Sequence, residues 1–191
     1  MSTGTTRIPL LQALRVAEDF ARLFEGCWDK WVIAGSIRRQ IPDIGDCEHV
    51  VLPKSAPVMG DGMLVPEMVD LLWQRADKLL ADGTITKALY GDSQKTRWGD
   101  IYRGCIYRGM KHEIFTATPE NFGCILTIRT GPWEYSRAMQ MELNRKGVYR
   151  QKDGYLRIAA GDNEGKVVPC PTEEAYFEAV GWKYKAPEER R

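Results

Sequence analysis

Residues 35–50 read GSIRRQIPDIGDCEHV, from Gly35 to Val50. The stretch joins a small-residue turn, two adjacent arginines, a spacer punctuated by Pro42 and Gly45, and an acid-x-acid step that runs into an apolar strand. Side chains alternate across a strand, so Asp46 and Glu48 share one face while Cys47 and His49 share the other. Two carboxylates one pleat apart can share a hard divalent cation, and magnesium usually takes one or two protein carboxylates together with substrate phosphates. A third acid on a neighbouring strand would complete such a set. Glu113, within Lys111-His112-Glu113-Ile114-Phe115, is the candidate.

The phosphate side of this chemistry reads from the start of the same stretch. Gly35 and Ser36 let backbone N–H groups and a hydroxyl come close to phosphate oxygens, and Arg38 and Arg39 offer planar guanidinium forks. Arg39 is the stronger candidate, because neighbouring side chains on an extended turn diverge. Cys47, His49 and His112 are scattered without zinc-motif spacing and read as packed groups beneath the sheet rather than a zinc site.

Around this centre the chain alternates strands and helices. Apolar positions between Ile8 and Phe24 recur at helical spacing, and Pro66 to Leu80 reads as a second amphipathic helix with Pro66 near its first turn and Gly83 past its end. Trp31 to Ala34 and Cys47 to Pro53 read as an antiparallel pair. Ile101 to Tyr107 and Lys111 to Thr116 form another, joined through Arg108-Gly109-Met110. After the apolar run Ile125 to Ile128 the character changes. Trp133 to Arg145 is helical up to Gly147, Lys152-Asp153-Gly154 is a hairpin turn, and Thr172 caps a last helix that ends at Gly181. The expected fold class is α+β, with a larger α/β unit over 1–130 and a smaller α+β unit over 131–191.

Composition sets the limits. With 191 residues, 43% of them hydrophobic, the chain can bury a core. No run approaches the roughly 20 apolar residues that span a bilayer, and the first residues do not have the pattern of a signal peptide. Five widely spaced cysteines without a Cys-x-x-Cys pair suit a reducing compartment, and cytoplasmic localisation is the expectation. A net charge of +1 argues against a uniformly basic surface, so any polyanion site has to be local.

The string G-S-x-R-R, six residues, then G-D-x-E resembles the signature of the family X DNA polymerases, within the polymerase-beta-like nucleotidyltransferases. Lys111 to Phe115 is similar to the strand bearing that family's third catalytic acid, and Arg129-Thr130-Gly131-Pro132 resembles its T-G turn between palm and thumb. The ending from Gly181 to Arg190 resembles its closing G-x-x-Y-x-x-P-E-E-R. The ordered match runs over residues 30–191.

The resemblance implies a nucleotidyltransferase palm with a mixed sheet and helices over 1–130 and a small thumb over 131–191. It implies catalytic, metal-binding roles for Asp46, Glu48 and Glu113 with two Mg²⁺ or Mn²⁺ ions. Nucleotide contacts would come from Gly35, Ser36, Arg39, Thr130, Gly131, Tyr135 and Ser136. Apart from the resemblance, Arg137, Arg145, Lys146 and Arg150 belong to a loose basic set in the second unit that suits duplex phosphate contact. The expected activity is addition of a dNMP to a primer 3′-hydroxyl with release of pyrophosphate, as in gap-filling DNA repair, by a monomer. A non-DNA acceptor and a catalytically impaired DNA-end binder are the alternatives.

Three departures accompany the resemblance. Glutamate stands at 48 and 113 where aspartate is usual, which carries each carboxylate outward by about 1.5 Å. Arg129 stands where an aromatic is common. No segment before Ile8 has room for a lyase or helix-hairpin-helix domain, so a minimal palm-and-thumb form is expected. Gly131-Pro132 is a candidate cis peptide, since X-Pro bonds accept that form at low cost.

Overall fold

A computed structural model describes residues 7–58, 65–91 and 94–190. In chain order the elements are β1 (Ile8–Pro9), α1 (Leu10–Arg22), β2 (Trp28–Ile33), α2 (Gly35–Arg38), β3 (Asp43–Ile44), β4 (Asp46–Pro53), β5 (Ser55–Val58), β6 (Glu67–Asp70) and α3 (Leu71–Ala81). Next are β7 (Thr86–Lys87), β8 (Leu89–Tyr90), β9 (Lys95–Thr96), β10 (Tyr102–Tyr107), β11 (Met110–Thr116) and α4 (Phe122–Thr130). The chain continues through α5 (Trp133–Lys146), β12 (Tyr149–Lys152), β13 (Tyr155–Ile158) and α6 (Glu173–Val180), and ends in a 3₁₀ turn at Pro187–Glu189.

The principal sheet is mixed, in the order β2-β4-β11-β10-β7. Strands β4 and β11 run parallel at its centre, while β2 and β10 flank them antiparallel. The two faces differ as the alternation requires. Cys47, His49, Val51, Cys105 and Ile114 point under the sheet, where α1 supplies Ala13, Ala17 and Phe20 and α3 supplies Leu72, Ala76 and Leu79. On the opposite face Val50 is covered by Phe122 and Leu126 of α4, and the acids lie beside that cover.

The histidines are packed under the sheet. The Trp31 indole donates to His49 Nδ1 at 3.0 Å, and His49 Nε2 lies 3.0 Å from His112 Nδ1. Phe20 stacks on His112 with ring centroids 4.0 Å apart. Burial holds both imidazoles neutral, His49 well below its ordinary value and His112 down to about 3. Cys47 Sγ is against Met110 Sδ at 3.5 Å, so these side chains serve the core.

Helix α4 joins two cores. Its Leu126 packs with Ala34 and Val50, whereas its Cys124 belongs to a second cluster with Met139, Leu143, Leu156, Tyr176 and Phe177. Gly131 ends α4 at a φ of +64°, and the Gly131–Pro132 peptide is cis. Gly147 and Gly181 close α5 and α6, and the Thr172 hydroxyl accepts from the Ala175 amide.

Several local expectations change. Glu67–Asp70 pairs with Ser55–Val58 as strand, and the helix begins only at Leu71, because the Asp70 carboxylate accepts from the Trp73 amide at 3.0 Å and caps it there. Met68 is therefore exposed rather than on a buried helical face. Ile8–Pro9 is strand, paired with Asp43–Ile44, and the helix starts after it. The link in the second hairpin is Arg108-Gly109 alone, both at positive φ, with Met110 already in β11. Ile125 to Ile128 lies inside α4.

Candidate active site

The site grows from the turn between β2 and β4. Gly35 has φ +60°, and a Cβ there would overlap Glu48 Oε2, so the turn and the carboxylate touch only because residue 35 lacks a side chain. The turn closes as the single helical turn α2, and Arg39 follows it. Arg39 donates from Nη1 to the Thr130 carbonyl and from Nη2 to Ser36 Oγ at 3.2 Å, while its buried Nε has no partner. Arg39 is half-buried, and a guanidinium fork is suited to an anion with several acceptor oxygens.

Arg38 is used differently. It donates to Thr130 Oγ1 at 2.7 Å and to Glu173 at 2.6 Å, and Arg190 holds the other Glu173 oxygen at 2.7 Å. One arginine thus supports the turn from behind while its neighbour faces the site.

The acids are arranged by strand register. Asp46 pairs with Lys111 and Glu48 with Glu113 across β4 and β11. In parallel strands such partners stand side by side on one face, so Glu48 and Glu113 are neighbours. Burial first, then the charges of Glu113 and Asp46, push the Glu48 carboxyl up from its ordinary 4.5 to about 7. Burial also acts on Glu113, but Lys111 and the Tyr102 and Tyr90 hydroxyls outweigh it and hold that carboxyl below its ordinary value. Lys111 Nζ lies 3.0 Å from Asp46 and 3.3 Å from Glu113, so an ammonium bridges two of the three acids.

Among the described residues, no three His, Cys, Asp or Glu side chains are drawn together as a ready-made metal cluster. The donor chemistry nevertheless fits a hard divalent ion. All three donors are carboxylate oxygens, two of them already bracket a cation, and Glu48 carries the strain of uncompensated negative charge.

Two cavities meet at Arg129. The first, about 260 Å³, is lined by Ser36, Arg39, Glu48, Ile128, Arg129, Gly131, Pro132, Trp133 and Ser136. The second, about 440 Å³, lies on the Glu113 side, with Tyr102, Phe115, Arg97 and Tyr155 on its wall. The Arg129 guanidinium sits 3.7 Å from the Phe115 ring centroid.

The remaining candidates divide. Thr130 is buried and anchors both arginines. Ser136 lines the smaller cavity, although its hydroxyl donates to the Ile128 carbonyl at 3.0 Å. Tyr135 is turned away from that cavity and packs edge-on to Trp182 in the second core. Arg145 is bound through two bonds of 2.7 Å to Glu142, and Arg150 holds Glu164 at 2.8 Å. Lys146 lies against Gly181, and Arg137 lies over the exposed Trp133 ring. Of the four residues expected to contact DNA, Arg137, Arg145 and Lys146 are exposed, and Arg145 and Arg150 are each paired with a carboxylate.

Sequence reading missed the supports of Glu113. Lys111 was findable, since i and i+2 on a strand share a face. Tyr102 follows from the hairpin register, two positions from the residue opposite Glu113. Tyr90 reaches the site from the small β8–β9 hairpin, a contact no local pattern announces.

A family model for the DNA polymerase beta thumb matches residues 133–191. DNA polymerase lambda from Rattus norvegicus is 26% identical over 165 residues, covering 83% of this chain. In these two respects the chain is similar to family X DNA polymerases. It spans 28% of that relative's length. The thumb model begins at the first residue of α5, immediately after the bend at Gly131–Pro132. The mixed sheet and its helices precede it, as the α+β class requires. Among the described residues, no helix is long and apolar enough to cross a membrane.

Proposed function

We propose that this protein is a divalent-metal-dependent nucleotidyltransferase of the DNA polymerase kind, adding a dNMP to a primer 3′-hydroxyl with release of pyrophosphate. One observation carries the reading: Glu48 and Glu113 are register partners on one sheet face, and Glu48 opens into a cavity that Ser36 and Arg39 also line. Glu48 and the candidate phosphate donors therefore meet in one cleft.

Asp46, Glu48 and Glu113 are the residues that would hold Mg²⁺ or Mn²⁺. Bound there, such ions neutralise phosphate charge and make an acceptor hydroxyl more acidic. Arg39 and Ser36 grip the phosphates of the incoming nucleotide, and Arg39 is kept in place by the Thr130 carbonyl. Glu113, held ionised by Lys111 and two phenols, orients the acceptor hydroxyl by accepting its hydrogen bond. Ile128, Pro132 and Trp133 wall the nucleotide cavity and restrict water. Gapped DNA is the proposed acceptor, and repair synthesis the proposed process.

Primer extension on gapped DNA with Mg²⁺ or Mn²⁺ tests the reading, with Asp46→Ala as control. Extension by the wild type and its loss in the variant are expected; equal incorporation by both would refute it. The Lys111 bridge favours a second reading, a DNA-end-binding protein whose acids are neutralised by their own lysine. That reading requires DNA-end binding without incorporation in either metal.

A further inference from the structure

Every hydrogen bond and ion pair of the Glu113 carboxylate among the described residues falls on one oxygen. Tyr90 Oη donates to Oε1 at 2.9 Å and Tyr102 Oη at 2.8 Å, and Lys111 Nζ lies 3.3 Å from the same atom. The two phenol oxygens are themselves 2.7 Å apart. Two protons serve three contacts, and either way of sharing them leaves at least one phenol proton on Oε1.

The arrangement is built from several elements. Gly104 stands opposite Glu113 in the β10–β11 register, and a Cβ at Gly104 would overlap the Tyr90 hydroxyl. Its φ is not in the left-handed region, so the space, rather than the backbone, is what glycine provides there. Arg97 lies over the Tyr90 ring at 4.5 Å and the Tyr102 ring at 5.7 Å, and Tyr102 stacks on Phe115 with centroids 4.6 Å apart. Both phenols are therefore fixed before anything binds at Glu113.

A glutamate has one more rotatable bond than an aspartate, so its carboxylate needs more restraint to point one way. We infer that Tyr90 and Tyr102 are positioning residues, which fix the Glu113 carboxylate through Oε1 and leave Oε2 directed at a divalent cation. The inference rests on the nucleotidyltransferase reading of the same site and extends it to two residues outside the acid set. Neither phenol touches the reacting atoms. Partners that orient a metal-binding carboxylate typically change metal affinity or activity by about 10–100-fold when removed.

The test removes the hydroxyls and keeps the rings. Tyr90→Phe/Tyr102→Phe and, independently, Gly104→Ala are compared with the wild type, Glu113→Ala and the Glu113→Ala/Tyr90→Phe/Tyr102→Phe triple variant. Mn²⁺ binding to the nucleotide-free protein is followed by electron paramagnetic resonance, and kcat and KM for dNTP are measured on gapped DNA. The expected result is Mn²⁺ affinity and kcat both lower by about 10-fold or more in the double variant and in Gly104→Ala, with KM for dNTP unchanged. The tyrosine changes should have no further effect once Glu113 is alanine, which a general packing defect would not produce.

Wild-type Mn²⁺ affinity and kcat in the double variant, with the wild type itself binding and turning over, overturn the inference and leave the enzyme reading intact. A wild type that neither binds Mn²⁺ nor incorporates dNMP overturns the enzyme reading, and this inference falls with it.

Discussion

Glu48 and Glu113 stand side by side on parallel strands, yet their carboxyls are shifted in opposite directions. Lys111 and two phenols compensate Glu113, while Glu48 faces burial and two neighbouring acids with Arg129 and Arg39 as weaker counterweights. The pair is asymmetric, and the less compensated member is the one that borders the cavity lined by Ser36 and Arg39.

That asymmetry predicts a pH dependence. A carboxyl raised from 4.5 to about 7 holds its proton more tightly folded than unfolded. Its contribution to stability is present at low pH and is lost as pH rises through that interval, at a cost on the order of 3 kcal/mol above pH 7. Metal-free Glu48→Gln is therefore expected to be more stable than the wild type at pH 8 and nearly equal to it at pH 5. Urea denaturation at the two pH values checks this; a gap that does not change with pH would contradict it. Metal binding to the wild type should weaken as pH falls below 7, since the proton on Glu48 competes with the ion.

The Lys111 bridge makes a second prediction. Lys111→Met removes the cation between Asp46 and Glu113 and leaves their charges opposed. Asp46 is 39% exposed, so solvent screening limits the loss to roughly 1 kcal/mol, a Tm decrease of about 2–4 °C without metal. The rise in Tm on adding Mn²⁺ should be larger in the variant than in the wild type, because the ion no longer competes with an ammonium. Thermal unfolding with and without Mn²⁺ measures both; an equal or smaller rise in the variant would show that the lysine does not occupy the cation position.

Much of this site is legible in the sequence, and the reason is periodicity. Asp46 and Glu48 opposite Cys47 and His49 follow from alternation, and Thr172 and Gly181 follow from capping chemistry. The illegible parts depend on partners distant in sequence. Asp70, rather than Pro66, starts the third helix because an Asp side chain reaches the Trp73 amide, and Glu67–Asp70 finds a strand partner at Ser55–Val58. The resemblance implies a place for Tyr135 near the nucleotide, but its ring packs edge-on against Trp182 in the second core. The Glu142–Arg145 pair follows from helical i,i+3 spacing, whereas Glu164, the partner of Arg150, is fourteen residues away.

Gly35 supports a third prediction, because conformation and space act together there. Gly35→Ala meets both the φ of +60° and the overlap with Glu48 Oε2, whereas Gly26→Ala, at φ +81°, has nothing within 4 Å. The Gly26 change is expected to cost about 1 kcal/mol, the backbone penalty alone. The Gly35 change should cost more and also displace the Glu48 carboxylate, lowering nucleotide incorporation, which Gly26→Ala should leave intact. Denaturant midpoints and primer extension on the two variants separate these effects; equal behaviour would mean the turn yields without moving Glu48.

The last prediction concerns how the C-terminal unit is held to the turn. Glu173, 5% exposed, accepts from Arg38 through one oxygen and from Arg190 through the other, and Arg38 also donates to Thr130 Oγ1. Burial would raise the Glu173 carboxyl, but the two guanidinium groups outweigh it and hold it below its ordinary value. Its contribution to stability is therefore present above the ordinary carboxylate range and is lost as pH falls through the depressed value. Glu173→Ala leaves the Arg190 guanidinium buried and unpaired, with an expected loss of about 3–5 kcal/mol. Replacing Glu173 and Arg190 together by Met should recover most of that loss, because the uncompensated charge disappears with its partner. Urea denaturation of the single and double variants decides it. A double variant as unstable as Glu173→Ala would mean that the ion pair itself, rather than the penalty of an orphaned arginine, holds this junction.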